Sequence, residues 1–256
     1  MTKAPAAKSQ QIELLSVALR GSRFRGEVES DSALRAAMST DNSVYLIRPD
    51  LIVAPFDAED VVCLMEVMER PQFRSIPLTP RGGGTGTNGQ SLNSGVILDM
   101  RRHMHRLLHI DPQGLWADVE PGIVLDDLNE QVRPHGLFFA PETSTSSRCT
   151  VGGMVSTDAS GKGSRIYGKT SDNLIGLEIA RGRGLLASFA ETSEWAWPML
   201  SAAEIAARAG RESFIANTPK LTRRYTGYDL ERACLRVVAP LYRIGRDAWS
   251  DYQGPR

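Results

Sequence analysis

The chain has 256 residues, 30 basic and 30 acidic side chains, and 41% hydrophobic residues. That length suits one large domain or two small ones, and the balanced charge supplies no field that would draw in nucleic acid or an anionic membrane. No apolar run approaches the ~20 residues of a membrane helix, and the cysteines, Cys63, Cys149 and Cys234, form no C-x-x-C pair, so neither a disulfide framework nor a metal site is expected.

Residues 1–8 lack the apolar stretch of a secretory signal and read as a disordered lead-in; with unpaired cysteines, a reducing cytoplasm is the simplest compartment. Residues 10–20 predict a helix with Ile12, Leu15 and Leu19 on one side. Residues 24–46 read as a segment lying across a sheet. Leu51-Ile52-Val53-Ala54-Pro55 predicts a buried strand. Asp57 is placed to cap the next helix, Glu59 and Asp60 suit its dipole, and Val61, Leu64, Met65 and Met68 share one face. A strand over 75–79 follows, so 51–80 reads as a β-α-β unit with a parallel strand pair and a right-handed crossover.

Then comes Pro80-Arg81-Gly82-Gly83-Gly84-Thr85-Gly86-Thr87-Asn88-Gly89-Gln90-Ser91, with five glycines in twelve residues. Successive N–H groups in such a loop can turn inward and form an anion site, and a diphosphate is the natural guest. Gly84-x-Gly86-x-x-Gly89 fits the dinucleotide fingerprint, but Val96-Ile97-Leu98-Asp99-Met100 reads as a strand where that fingerprint needs a helix. A P-loop is excluded because Gln90 stands where the phosphate-binding lysine must be. A strand, a glycine loop and a second strand remain.

Strands are expected over 96–100, 105–110 and 115–120, the last two joined by the turn Asp111-Pro112-Gln113-Gly114. A helix follows with Leu125, Leu128 and Val132 as its stripe and Gly136 at its end. Residues 141–168 form a second polar, glycine-rich stretch, read as ligand-covering with one short helix near 152–158. A strand over 173–180 pairs with 185–189 across Arg181-Gly182-Arg183-Gly184. Helices are expected over 194–211 and 229–235. His103, His105, His109 and His135 lack ligand spacing, and His105 and His109 would lie ~13 Å apart on one strand face. Lys162 and Lys169 are possible diphosphate contacts.

The pieces Pro80–Gly86, Asp118–Gly122, Pro141–Ser144, Thr150–Met154, Tyr167–Asp172, and Pro219-Lys220 with Gly227–Leu230 occur in an order that resembles the FAD-binding domain of the vanillyl-alcohol oxidase/p-cresol methylhydroxylase superfamily. Within it they are most similar to the FAD-linked D-2-hydroxyacid dehydrogenases. The resemblance implies an α+β fold of two α/β subdomains, 24–80 and 81–232, with FAD between them, a lead-in over 1–23 and a divergent tail over 233–256. It implies that Arg81, Gly82, Gly83, Gly84, Thr85 and Gly86 hold the FAD diphosphate, and that Gln90 and Ser91 close that site. Pro141, Glu142, Thr143 and Ser144 would lie near the isoalloxazine, and Thr150, Gly152, Gly153 and Ser156 near the ribityl chain. Tyr167, Gly168 and Asn173 would lie by the dinucleotide, and Ile175 near the adenine. Covalent members carry a His about where Thr85 lies, so FAD is expected to be non-covalent. The implied reaction is oxidation of a D-2-hydroxy acid, of lactate or 2-hydroxyglutarate type, by hydride transfer to flavin.

The family's Gly-Ser-Glu-Gly-Thr-Leu signature, substrate cap and iron–sulfur region are not matched, so the chain reads as a truncated member whose catalytic residues are unknown. Its partners would be a small-molecule substrate and a separately encoded cap or iron–sulfur protein, with a cytoplasmic location, peripheral to the inner face of the membrane. The rival reading is an inactive flavin-binding remnant.

Overall fold

The computed structural model describes residues 5–181, 184–186, 209, 210, 212, 213 and 215–217. The expected helix over 229–235, most of that over 194–211, and the motifs at 219–220 and 227–230 lie outside these residues. Residues up to Asn173, with Ala180–Leu185, belong to one compact unit, and Leu174–Ile179 to a second.

Helix α1 (Pro5–Arg20) starts inside the stretch read as disordered. Pro5 at its first turn forfeits no needed N–H, and Ile12, Leu15 and Leu19 are buried as expected. Strand β1 (Glu27–Glu29) and helix α2 (Ser32–Ala37) follow. β2 (Leu51–Ala54), helix α3 (Ala58–Met68), β3 (Leu78–Arg81) and β4 (Val96–Asp99) complete the first layer. Asp57 caps α3 by accepting from the Asp60 N–H at 3.1 Å. The Asp60 side chain faces inward instead, accepting from the Phe56 and Arg25 N–H groups at 2.9 Å each. Val61, Leu64 and Met68 are buried, and so are Val62, Cys63 and Val67. α3 therefore buries more than one stripe, because its neighbours enclose it on more than one side.

The sheet order is β1-β2-β4-β3. β2 and β3 are both parallel to β4, with Leu51 and Leu78 both opposite Val96. The expected direct pairing of the strands flanking α3 is thus corrected: β4 lies between them. The reason is burial. All four residues of β4 are buried, whereas β3 is half-exposed and contains Pro80, which lacks a ladder donor and suits an edge. The segment expected to lie across the sheet instead joins it, as β1 pairs antiparallel to β2.

A second core lies around the hairpin β5 (Leu107–Asp111) and β6 (Trp116–Val119) and helix α4 (Leu125–Val132). Leu128 and Val132 pack with Ile123, Leu137 and Val151, and with Leu107, Ile110 and Val119 of the hairpin. Gly136 has φ 70° where the helical segment ends. His105 precedes β5 in a loop, which corrects its placement on the strand. Two short helices, α5 (Val151–Ser156) and α6 (Ser164–Tyr167), and a 3-10 turn (Thr170–Asn173) occupy the second glycine stretch. The strand expected from 173 begins only at Ile179: β7 (Ile179–Arg181) pairs with β8 (Gly184–Leu186) at the expected turn.

Candidate functional site

β3 leaves the sheet at Arg81, beside the carboxyl end of β4. Ligands of open α/β sheets bind outside such ends. A cavity of about 620 Å³ opens there, with Arg81, Gly82, Gly83, Asp99, Gly122 and Val124 among its lining residues.

The loop is pressed against the second glycine stretch. A Cβ on Gly82 would lie 2.0 Å from the Thr150 hydroxyl, and one on Gly83 would lie 1.9 Å from the Arg148 carbonyl oxygen. No side chain fits either gap. Gly84 has φ +62°, a region that costs little only for glycine. A Cβ there would meet Arg81 Nη2 at 2.7 Å, so its side of the loop faces protein.

What the glycines leave free is the other side. Among the described residues, the N–H groups of Gly83, Gly84, Thr85, Gly86 and Thr87 donate to no acceptor in the chain, while Asn88 donates to Gln90 Oε1 at 3.0 Å. Gly83 to Gly86 are half-buried. A run of half-buried donors without chain partners fits a multi-oxygen anion.

The other expected site residues divide by what they already hold. Arg81 donates to the Thr40 carbonyl at 2.7 Å and the Met38 carbonyl at 3.4 Å. Burial lowers the pKa of its guanidinium, with Asp41 and Asp99 opposing, and it stays a cation. Gln90 folds over Gly86. Ser91 donates to Asp41 Oδ2 at 2.8 Å. Thr150, fully buried, caps α5 by accepting from the Gly153 N–H at 3.3 Å. Gly152 lies against Pro121, and its N–H donates to the Pro121 carbonyl. Ser156 donates to the Gly152 carbonyl.

Pro141 is buried, and Glu142 and Ser144 are exposed. Thr143 and Cys149 share a hydrogen bond at 3.1 Å. The Tyr167 ring meets Phe138 edge-on at 5.6 Å, and Gly168 has φ +76°. The Asn173 amide donates to the Tyr167 and Lys169 carbonyls at 2.9 Å. Ile175 falls in the second unit. Lys169 pairs with Asp158, and the exposed Lys162 lies 3.7 Å from Glu142.

Two features had no signal in the sequence. Residues 38–42 form a wall of the loop, since the Asn42 N–H also donates to the Gly84 carbonyl at 3.0 Å. Arg101 lines the cavity, and among the described residues its guanidinium has no partner. Both depend on contacts remote in sequence. Glu120, of the Asp118–Gly122 piece, is buried and accepts from the Arg106 N–H at 2.8 Å and from Nη2 at 2.7 Å. It pins the hairpin. Among the described residues no cluster could hold a metal ion, and no helix is long and apolar enough to cross a membrane.

Comparison with known proteins agrees with this geometry. Residues 49–189 match the family model described as an FAD binding domain. A D-2-hydroxyglutarate dehydrogenase of Escherichia coli (strain K12) is 44% identical over 218 residues, which cover 81% of this chain and 21% of that protein. The glycolate oxidase subunit GlcD of the same strain is 37% identical over 139 residues, 54% of this chain and 27% of that one. The chain thus spans about a quarter of the length of these relatives. An alkyldihydroxyacetonephosphate synthase structure superposes with TM-score 0.60 at 23% identity, covering 68% of this chain and 38% of that one, and so shares the fold. With the family match spanning more than half of its residues and enclosing the glycine loop, the chain belongs to the FAD-binding domain family, with the vanillyl-alcohol oxidase/p-cresol methylhydroxylase-type fold and FAD as its cofactor.

Proposed function

We propose that the chain is the FAD-binding module of an FAD-linked oxidoreductase that oxidises a D-2-hydroxy acid of lactate or 2-hydroxyglutarate type. The observation that carries the reading is the run of N–H groups from Gly83 to Thr87, which no acceptor in the described chain engages. A diphosphate presents oxygens to such a run, the Thr85 and Thr87 hydroxyls add donors, and the Arg101 cation lines the cavity that Gly82 and Gly83 also line. FAD, when bound, supplies a flavin ring that accepts a hydride. The chain's part is to orient that ring through the diphosphate and to shield its linker with residues 141–156. Thr85 has no ring nitrogen to form a covalent link, which supports non-covalent retention. The likeness to D-2-hydroxyglutarate dehydrogenases and to a glycolate oxidase subunit supports the substrate class.

We propose as its partners a small-molecule substrate and a substrate cap or iron–sulfur partner. Its location on this reading is the cytoplasm, peripheral to the inner face of the membrane. The test is to purify the 256-residue chain, record its visible spectrum, and add D-2-hydroxyglutarate or D-lactate with a dye acceptor. The expected result is a flavin spectrum, released to the supernatant on acid precipitation and bleached by substrate when the partner is present. Flavin that no D-2-hydroxy acid bleaches, with or without the partner, overturns the substrate assignment. Absence of flavin affinity overturns the whole reading.

A further inference from the structure

Four ties join the glycine loop to one segment some forty to fifty residues earlier. At its start, Arg81 donates to the Thr40 and Met38 carbonyls. In its middle, the Gly84 carbonyl accepts from the Asn42 N–H at 3.0 Å. Further on, the Tyr45 ring lies under Gly89, 2.8 Å from where a Cβ would sit. At its end, Ser91 Oγ donates to Asp41 Oδ2 at 2.8 Å. The segment is itself braced. Asp41 Oδ1 accepts from the Ser43 N–H at 2.8 Å, the Ile47 N–H donates to the Ser39 carbonyl at 2.9 Å, and Thr40 bridges to Leu46.

We infer that residues 38–45 are a strap that shapes the glycine loop before any ligand arrives, with Asp41 and Ser91 as positioning residues for diphosphate binding. A loop with five glycines in twelve residues loses more entropy on ordering than a glycine-poor loop of that length. Ties made by the chain's own residues move that cost from binding to folding, and affinity rises accordingly. The arrangement also changes the reading of Arg81. Two of its donors are spent on carbonyls and its charge faces Asp41 and Asp99, so it sets the loop's shape and leaves the anion to the backbone N–H groups. The inference rests on the loop being the diphosphate site proposed above.

The test uses Ser91→Ala, Asp41→Asn and the double variant of the full chain. FAD affinity is measured by calorimetry, and amide hydrogen exchange over 42–47 is measured without ligand. Ser91→Ala is expected to bind FAD about tenfold more weakly, the loss expected of one part-buried hydrogen bond to a charged group, and Asp41→Asn, whose amide can still bond Ser91, is expected to lose less. The double variant is expected to match Ser91→Ala, because both substitutions act on the one Ser91–Asp41 bond. Exchange of the Asn42, Ser43 and Ile47 N–H groups, bonded to the Gly84 carbonyl, Asp41 and the Ser39 carbonyl, should quicken while α3 and β4 keep their protection, a pattern general destabilisation would not produce. Wild-type affinity and wild-type exchange in Ser91→Ala, which deletes a single oxygen, overturn the strap. If wild-type protein binds no FAD, the function reading fails, and the exchange experiment still decides whether the strap orders the loop.

Discussion

The two glycine-rich stretches have similar compositions and opposite uses. In residues 82–91 the glycines press one side of the loop against Thr150, Arg148 and Arg81 and leave a row of N–H groups on the other. In residues 141–173 most polar groups are already spent on the chain itself. Thr150 caps a helix, Thr170 donates to the Ala159 carbonyl at 2.7 Å, Asn173 holds two carbonyls, and Lys169 pairs with Asp158. The first stretch keeps donors that the described chain does not use, which on the proposed function serve the ligand, while the second packs behind it. Glycine content alone therefore does not mark a binding surface. What marks it is where the backbone hydrogen bonds go.

Substitutions can break that contrast. The largest effect is expected from Gly83→Ala, whose methyl would meet the Arg148 carbonyl at 1.9 Å. It should lose FAD binding and about 2–3 kcal/mol of stability, read by titration and thermal melting. Gly84→Val should also lose FAD binding. Its side chain would strike Arg81, and φ +62° strains a β-branched residue. Retained flavin in either variant would sink the loop assignment.

Thr170→Val in the wall should separate the two roles. It should cost about 1 kcal/mol of stability and leave FAD affinity within twofold, whereas a large affinity loss would make the wall a direct ligand surface.

Acid should loosen both stretches together. For Asp41 and Asp158, burial opposes the charge. Hydrogen bonds from Ser43 and Ser91, and from Lys169 and Ser171, with the nearby Arg81 and Lys169 charges, outweigh it, so both carboxyls lie below the ordinary 3.8. A depressed folded pKa contributes stability that is present above the unfolded value and lost as pH falls through the folded one. Melting temperature should therefore drop below about pH 4, and Asp41→Asn or Asp158→Asn should flatten that limb. The smallest effect belongs to Lys162→Ala. Its pair with Glu142 is exposed on both sides, so stability should change by less than about 0.5 kcal/mol.

Local chemistry was open to inspection in the linear chain. The apolar spacing of Ile12, Leu15 and Leu19 and of Leu125, Leu128 and Val132 announced two helix faces. Asp57 and Gly136 marked helix ends, the glycine run suggested an anion loop, and six short pieces in a fixed order led to the family. These signals act over a few residues, where steric preference and hydrogen bonding to near neighbours dominate.

Strand order was decided only in three dimensions. β4 separates β2 from β3 because the fully buried strands β2 and β4 take the inside of the sheet and the half-exposed, proline-containing β3 its edge, a competition among strands that no single segment reveals. The same holds for the seat of Gly82 and Gly83 against 148–150, and for the hydrogen bond from Ser91 to Asp41. Those contacts join residues tens of positions apart, and chain folding alone brings such partners within bonding distance.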